Sequence, residues 1–225
     1  MAISYFITST GTGIGKTYVT TALIRLARSK NMKVAAFKPV ISGFDKQEIA
    51  ASDTGEILAA LGEAPTDEAL AKISPWRFKA PVAPNMAARA EGRTLDCDAL
   101  FSFSRNVLRE DADVTLIEGV GGVMVPLDDE KTVLDWIVAA GAPIVLVVGD
   151  YLGTISHTLT AVEVLRAKGA AIAAIVVNEG QGKGDVASVP FAETLAEIAQ
   201  WIAPIPVVAM RRGGDGEVLT PLLDR

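Results

Sequence analysis

Six short runs rich in Ile and Val, at 3–7, 34–37, 114–117, 144–148, 172–177 and 205–208, most constrain what this chain can fold into. They are apolar at nearly every position rather than at alternate ones. A strand of that kind must be covered on both faces, as in a parallel sheet wrapped by helices. Between several runs the spacing is helical: Val19, Ala22, Leu23, Leu26 and Ala27 share a face, as do Ile155, Leu159, Val162 and Leu165. Phe191, Leu195, Ile198 and Ile202 form a third stripe. This alternation predicts a single α/β domain over residues 1–225, a mostly parallel sheet with helices on both faces. With 225 residues, half of them hydrophobic, the chain can bury such a core. Ligands of these folds gather at the carboxyl ends of the strands, so the residues after each run are the ones to inspect.

The first run leads into TSTGTGIGKTYVT (8–20), and a helical stripe begins just beyond it. Strand, glycine-rich turn, Gly-Lys-Thr and helix together form the context of a phosphate-binding loop. Glycines let backbone N–H groups turn inward, and the helix N-terminus adds donors and a positive dipole end. The usual spelling, G-x-x-x-x-G-K-[ST], would put a glycine at Thr10, whereas here glycines stand at Gly11, Gly13 and Gly15. Lys16 is expected to reach the β- and γ-phosphates and Thr17 to join a Mg²⁺ shell. The bland alternative is a tight turn followed by a solvated lysine. A dinucleotide site is weaker still, because Lys38 stands where the next strand would need an acid. A P-loop NTPase-like site for a nucleoside triphosphate is the expectation.

Other strand ends agree. The third run finishes in Glu118, followed by Gly119, Gly121 and Gly122, an acid placed like the second metal-binding position of P-loop proteins. Lys38 closes the second run inside KPVISG and offers a second cation for developing negative charge. Asp53, in ASDTGEI, reads as a helix N-cap or a metal ligand, and its spacing favours the cap. Residues 42–94 show no strong strand signal. Pro75, Pro81 and Pro84 exclude a long helix there and suggest an ordered connection across the face of the sheet.

Composition removes several classes of function. A formal charge of −6 with no basic run argues against nucleic acid. A single cysteine, Cys97, allows no disulfide framework, and a single histidine, His157, no His-based metal cluster. His157 is expected to be a partly buried structural residue, and Trp76, Trp136 and Trp201 core or interface aromatics. The longest apolar runs are too short to span a bilayer. A soluble, cytoplasmic protein follows as the expectation, with a loop-like, poorly ordered tail after about residue 210.

In this order, TSTGTGIGKT, KPVISG, SDT, FKAPVAPN, EGVGG, YLGTISHTLT and VVNE resemble the dethiobiotin synthetase family, over most of the chain through Asn178. That family's loop is itself stretched, its first glycine falling where this chain has Ser9. Many members also carry an acid at the position of Gly13. The resemblance implies ATP-dependent closure of the ureido ring of dethiobiotin from 7,8-diaminononanoate and CO₂. It assigns Thr12, Gly13, Ile14, Gly15, Lys16, Thr17, Tyr18, Glu118 and Gly121 to ATP, Asn178 to adenine, and Pro206 and Val208 to the base pocket. Thr17, Asp53 and Glu118 would hold Mg²⁺. Lys38, Lys16 and Ser42 would act on the reacting groups, with Thr12, Lys38 and Ser42 at the substrate. The family is a homodimer in which Gly153, Thr154, Ile155 and Ser156 of the second subunit bind the substrate carboxylate.

Two rivals share parts of this pattern. A partitioning or division-site ATPase switch would carry a lysine at Gly11 and has no use for the pair Lys38 and Ser42. A related amide ligase of cofactor synthesis usually brings an amidotransferase domain that 225 residues cannot hold.

Overall fold

The computed structural model describes residues 2–180 and 190–224. The chain runs β1 (Ile3–Ser9), α1 (Lys16–Ser29), β2 (Val34–Phe37), β3 (Val40–Ser42), α2 (Asp53–Leu61), α3 (Asp67–Ile73), β4 (Trp76–Phe78) and α4 (Pro84–Ala90). It continues α5 (Cys97–Val107), β5 (Val114–Glu118), α6 (Val133–Ala140), β6 (Ile144–Gly149), α7 (Thr154–Ala167), β7 (Ile172–Asn178), α8 (Phe191–Ile202) and β8 (Val207–Met210).

All six apolar runs contribute to one parallel sheet of order β2-β5-β1-β6-β7-β8. Period-2 geometry explains why these runs are apolar throughout. On β1, Tyr5 and Ile7 pack with Leu23 of α1 and Ile57 of α2, while Phe6 points the other way, toward Trp136 of α6. Phe6 and Trp136 meet edge to face at 4.9 Å, a geometry worth about 0.5–1.5 kcal/mol beyond area burial. The Trp136 indole N–H donates to Ser104 Oγ at 2.7 Å, so its one polar atom is satisfied in the core.

The strand order reverses at β1, flanked by β5 on one side and β6 on the other. That switch point opens a crevice beyond the carboxyl end of β1, where the glycine-rich loop lies.

Three expectations need correction. Residues 42–94, expected to form an ordered connection without strands, hold three α-helices, a 3₁₀ turn at Ile49–Ala51 and strand β4, which pairs in parallel with β3. Pro84 takes the first position of α4, where its missing N–H costs nothing. The last strand begins at Val207, not residue 205, because Pro206 has no N–H for a ladder; its carbonyl still accepts from Ile175 N–H. Rather than forming a loose tail, residues 217–222 make a 3₁₀ turn whose Leu219 and Leu222 are buried in the same core as Leu23. The Leu222 carbonyl also accepts the Tyr5 hydroxyl at 2.9 Å. Among the described residues no helix is long and apolar enough to cross a membrane.

Candidate active site

The loop between β1 and α1 ends at Gly15, which caps α1 in the left-handed region at φ 97°. A Cβ at Gly15 would also collide with Asn178 Nδ2, so backbone conformation and space both require glycine. No side chain caps α1 and no acid stands in its first turn, so its N–H groups and positive end face the crevice unneutralised. By contrast α6 is closed by Thr132 and Asp135 in a capping box. Gly13 is also left-handed, at φ 73°, a conformation that favours glycine.

Lys16 is buried and folds back on the loop. Its Nζ donates to Gly121 O at 2.8 Å, Ser9 Oγ at 3.0 Å and Gly11 O at 3.1 Å. The Ser9 hydroxyl therefore braces the Lys16 ammonium, a contact sequence reading missed. Burial, with the Lys38 charge adding to it, lowers the Lys16 ammonium to about 8.

Lys38 follows β2 and is 1% exposed. Its Nζ donates to Glu118 Oε1 at 2.6 Å and Gly119 O at 2.8 Å, and lies 2.8 Å from Asp53 Oδ2. Burial opposes its charge, but the Glu118 and Asp53 carboxylates outweigh burial and hold its pKa above the ordinary lysine value. Burial likewise pushes Asp53 toward neutrality, and the Lys38 ammonium and Thr17 hydroxyl reverse that, keeping it below the usual carboxylate range. The cap reading of Asp53 is corrected: Ser52 caps α2 by accepting from Gly55 N–H, and Asp53 is the first helical residue.

Thr17 Oγ1 lies 2.9 Å from both Asp53 Oδ1 and Glu118 Oε1. One hydroxyl and two carboxylates thus converge from three elements, an all-oxygen donor set that fits Mg²⁺.

Lys16, Thr17, Lys38 and Asp53 line one cleft of about 580 Å³ with Thr12, Gly13, Ser42 and Gly121, and Glu118 lies enclosed behind it. Ser42 Oγ is buried there with no hydrogen-bond partner among the described residues. Its opposite wall is apolar, built from Ile41, Val120, Val125 and the Pro81–Pro84 turn. Pro81, Val82, Ala83 and Pro84 were legible only as a quoted motif, FKAPVAPN, and not as site residues.

On the far side of the loop, Asn178 ends β7 and donates from Nδ2 to Ile14 O at 2.9 Å. Its Oδ1 is buried without a partner among the described residues. Tyr18 reaches Gly214 O at 3.2 Å. Pro206 is not brought to this end, and Val208 pairs with Val176, two positions before Asn178. Asn178 pairs in register with Met210, so Pro206 lies four positions back along the strand, roughly 13 Å away at about 3.3 Å per residue.

Gly153 caps α7 in the left-handed region, Thr154 Oγ1 donates to Gly149 O at 2.7 Å, and Ser156 is exposed. Residues 153–156 are not among those lining the cleft of the same chain. His157 is exposed rather than partly buried, because its α7 face carries it beside the Tyr151 hydroxyl, 2.9 Å from Nδ1.

A family model described as an AAA domain matches residues 4–210. The chain is 47% identical over 211 residues to the ATP-dependent dethiobiotin synthetase BioD of Phenylobacterium zucineum, covering 93% of this chain and 89% of that one. It is 51% identical over 175 residues to the protein of the same name from Acidiphilium cryptum, covering 77% and 78%. Among solved structures, the septum site-determining protein MinD from Pyrococcus horikoshii aligns with TM-score 0.55 at 16% identity, over 98% of this chain and 85% of that one. Chloroplast FtsY from Physcomitrella patens aligns with TM-score 0.55 at 12% identity, over 100% and 66%. Those two likenesses concern the fold alone, whereas the identities to the synthetases span most of this chain and of theirs, and by them the chain belongs to the dethiobiotin synthetase family.

Proposed function

We propose that this enzyme closes the cyclic urea of dethiobiotin from 7,8-diaminononanoate, CO₂ and ATP, by way of a carbamate and a carbamic-phosphoric anhydride. The observation that carries this reading is the position of Lys38: a buried ammonium between Glu118 and Asp53, opening on the cleft that also holds the phosphate loop and Ser42. A simple nucleotide switch has no need of that second cation.

The chemistry explains the need. One amine of the diamine takes up CO₂ as a carbamate, which is a poor electrophile because attack on it must expel an oxyanion. A carbamate oxygen therefore attacks the γ-phosphorus, and ADP leaves. The second amine then attacks the carbamoyl carbon, inorganic phosphate leaves, and the ring closes. Both reactants of the first step are anions, so the protein's work is to hold them in line and offset their charge. Lys16 and the α1 N-terminus would bind the β- and γ-phosphates. Lys38 and the Ser42 hydroxyl would face the carbamate and the transferring phosphoryl group. Ile41, Val82 and Val125 would line the aliphatic chain of the diamine. Thr17, Asp53 and Glu118 would hold Mg²⁺, which when bound neutralises charge developing on the phosphate oxygens. Thr12, Gly13 and Gly121 would border the phosphates, and Asn178 would read adenine through its unpartnered Oδ1.

The exposed start of α7 points to a homodimer. Tyr151 and Leu152 are 38% and 75% exposed beside Gly153. In a dimer this helix start, with Gly153, Thr154, Ile155 and Ser156, would receive the substrate carboxylate bound mainly by the other subunit.

Phosphate release with Mg-ATP and bicarbonate, with and without the diamine, tests the reading. Stimulation by the diamine and a cyclic urea detected by mass spectrometry are expected. Diamine-independent hydrolysis without a urea product would overturn it.

A further inference from the structure

Glu118 is fully enclosed, and its two oxygens are engaged by different elements. Oε1 receives the Lys38 ammonium at 2.6 Å and lies 2.9 Å from Thr17 Oγ1. Oε2 lies 2.6 Å from Thr20 Oγ1. Thr20 is itself fully buried on α1, four residues after Lys16. Its hydroxyl also stands 3.0 Å from Lys16 O, so one proton has two acceptors. The shorter contact, to the carboxylate, falls in the range of charge-assisted O–H···O⁻ bonds and takes the proton.

The terminal torsion of a glutamate is broad and nearly two-fold, so a carboxylate held at one oxygen can turn. Turning would carry Oε1 away from Thr17 and Asp53. We infer that Thr20 is a positioning residue that locks the rotation of Glu118, so that Oε1 alone is presented to Thr17 and Lys38. One turn of α1 then carries the phosphate lysine, the Thr17 hydroxyl and the anchor of the carboxylate as a single rigid unit. This inference rests on the reading of Thr17, Asp53 and Glu118 as divalent-cation ligands.

The test compares Thr20→Val, which keeps the shape and deletes the hydroxyl, with Thr20→Ser, which keeps the hydroxyl. Mn²⁺ binding in the presence of ADP, followed by electron paramagnetic resonance, reads the site without turnover. Thr20→Val is expected to weaken Mn²⁺ by about 10-fold or more, the usual scale for losing a group that orients a ligand, and Thr20→Ser to restore it. The Mg²⁺ concentration for half-maximal turnover should rise in parallel while KM for the diamine stays unchanged. Should Thr20→Val not fold, Thr20→Cys, similar in shape with a much weaker donor, carries the same expectation. Wild-type Mn²⁺ affinity in the hydroxyl-free variant, or equal loss in Thr20→Ser, would overturn the inference alone. A wild-type protein that binds no Mn²⁺ with ADP would overturn the cation-ligand reading, and the inference with it.

Discussion

Lys38 Nζ lies 2.6 Å from Glu118 Oε1, and both side chains are sealed from solvent, at 1% and 0% exposure. The pair joins the carboxyl ends of two neighbouring strands, β2 and β5, across the base of the cleft. Removing Lys38 leaves the enclosed Glu118 carboxylate without its ammonium partner, which typically costs about 3–5 kcal/mol.

Lys38→Met should therefore lose stability on that scale and lose turnover by roughly 10²–10³-fold, as for a preorganised stabiliser. The two losses separate in the double variant Lys38→Met/Glu118→Leu, which removes both charges. Urea denaturation should show stability recovered there, with turnover still absent. Near-normal turnover in Lys38→Met would remove this lysine from the mechanism.

Lys16 governs a pH dependence of the ligand-free protein. Its pKa in the fold is about 8, below the ordinary lysine value of 10.5, because burial disfavours its charge. Between those values the unfolded chain binds more protons than the fold, so stability rises with pH across that window. Below pH about 8 the ammonium is charged in both states and its burial cost is fully present. Denaturation midpoints measured in chelator from pH 7 to 10 should climb in wild type relative to Lys16→Met. Parallel curves for the two proteins would refute the assignment.

Ser9 braces Lys16 in its folded-back pose, with Oγ 3.0 Å from Nζ. Ser9→Ala removes one of three partners of a buried ammonium, which should cost roughly 1–3 kcal/mol of stability. The same loss frees the lysine to turn toward phosphate. ATP affinity by calorimetry is therefore expected to hold or to increase by up to about tenfold, opposite in sign to the stability change. A fall in both would mean that Ser9 shapes the loop rather than holding the lysine.

Asn178 has its orientation set by Ile14, whose carbonyl accepts from Nδ2 and leaves Oδ1 as an acceptor without a partner among the described residues. Facing the purine 6-position, an acceptor takes the amino group of adenine and meets a carbonyl in guanine. Asn178→Leu should weaken ATP by about 1–3 kcal/mol, the cost of one buried hydrogen bond, and leave GTP nearly unchanged. Equal losses for both nucleotides in competition assays would assign Asn178 to loop support alone.

Sharing of sites across a dimer is tested by complementation. Ser156→Asp places a negative charge at the start of α7, where it suits the helix but repels a substrate carboxylate. Mixed with Lys16→Ala subunits, it should recover activity that neither variant has alone. No recovery after verified subunit exchange would indicate self-contained sites.

The sheet and the glycine-rich loop could be read from the residues alone. Its six apolar runs supply the six strands because burial on both faces leaves no polar alternation to confuse, and Gly-Lys-Thr after a strand is a local signal needing no long-range contact. Lys38 and Glu118 were visible as residues at strand ends, and the resemblance already pointed Asp53 toward metal binding. What those groups do to one another depends on how the fold brings them together. Lys38 and Glu118 are 80 residues apart, and they meet because β5 inserts between β1 and β2, an ordering no local pattern encodes. The contacts of Ser9 and Thr20 were hidden for the same reason: each looks like an ordinary hydroxyl until the fold sets it against a buried charge. Pro206 and Val208 were set back from Asn178 by strand register, which cross-strand hydrogen bonds set and spacing along the chain does not. The short β3 and β4 pair likewise depends on partners more than thirty residues apart, so its stability lies in packing rather than in local preference.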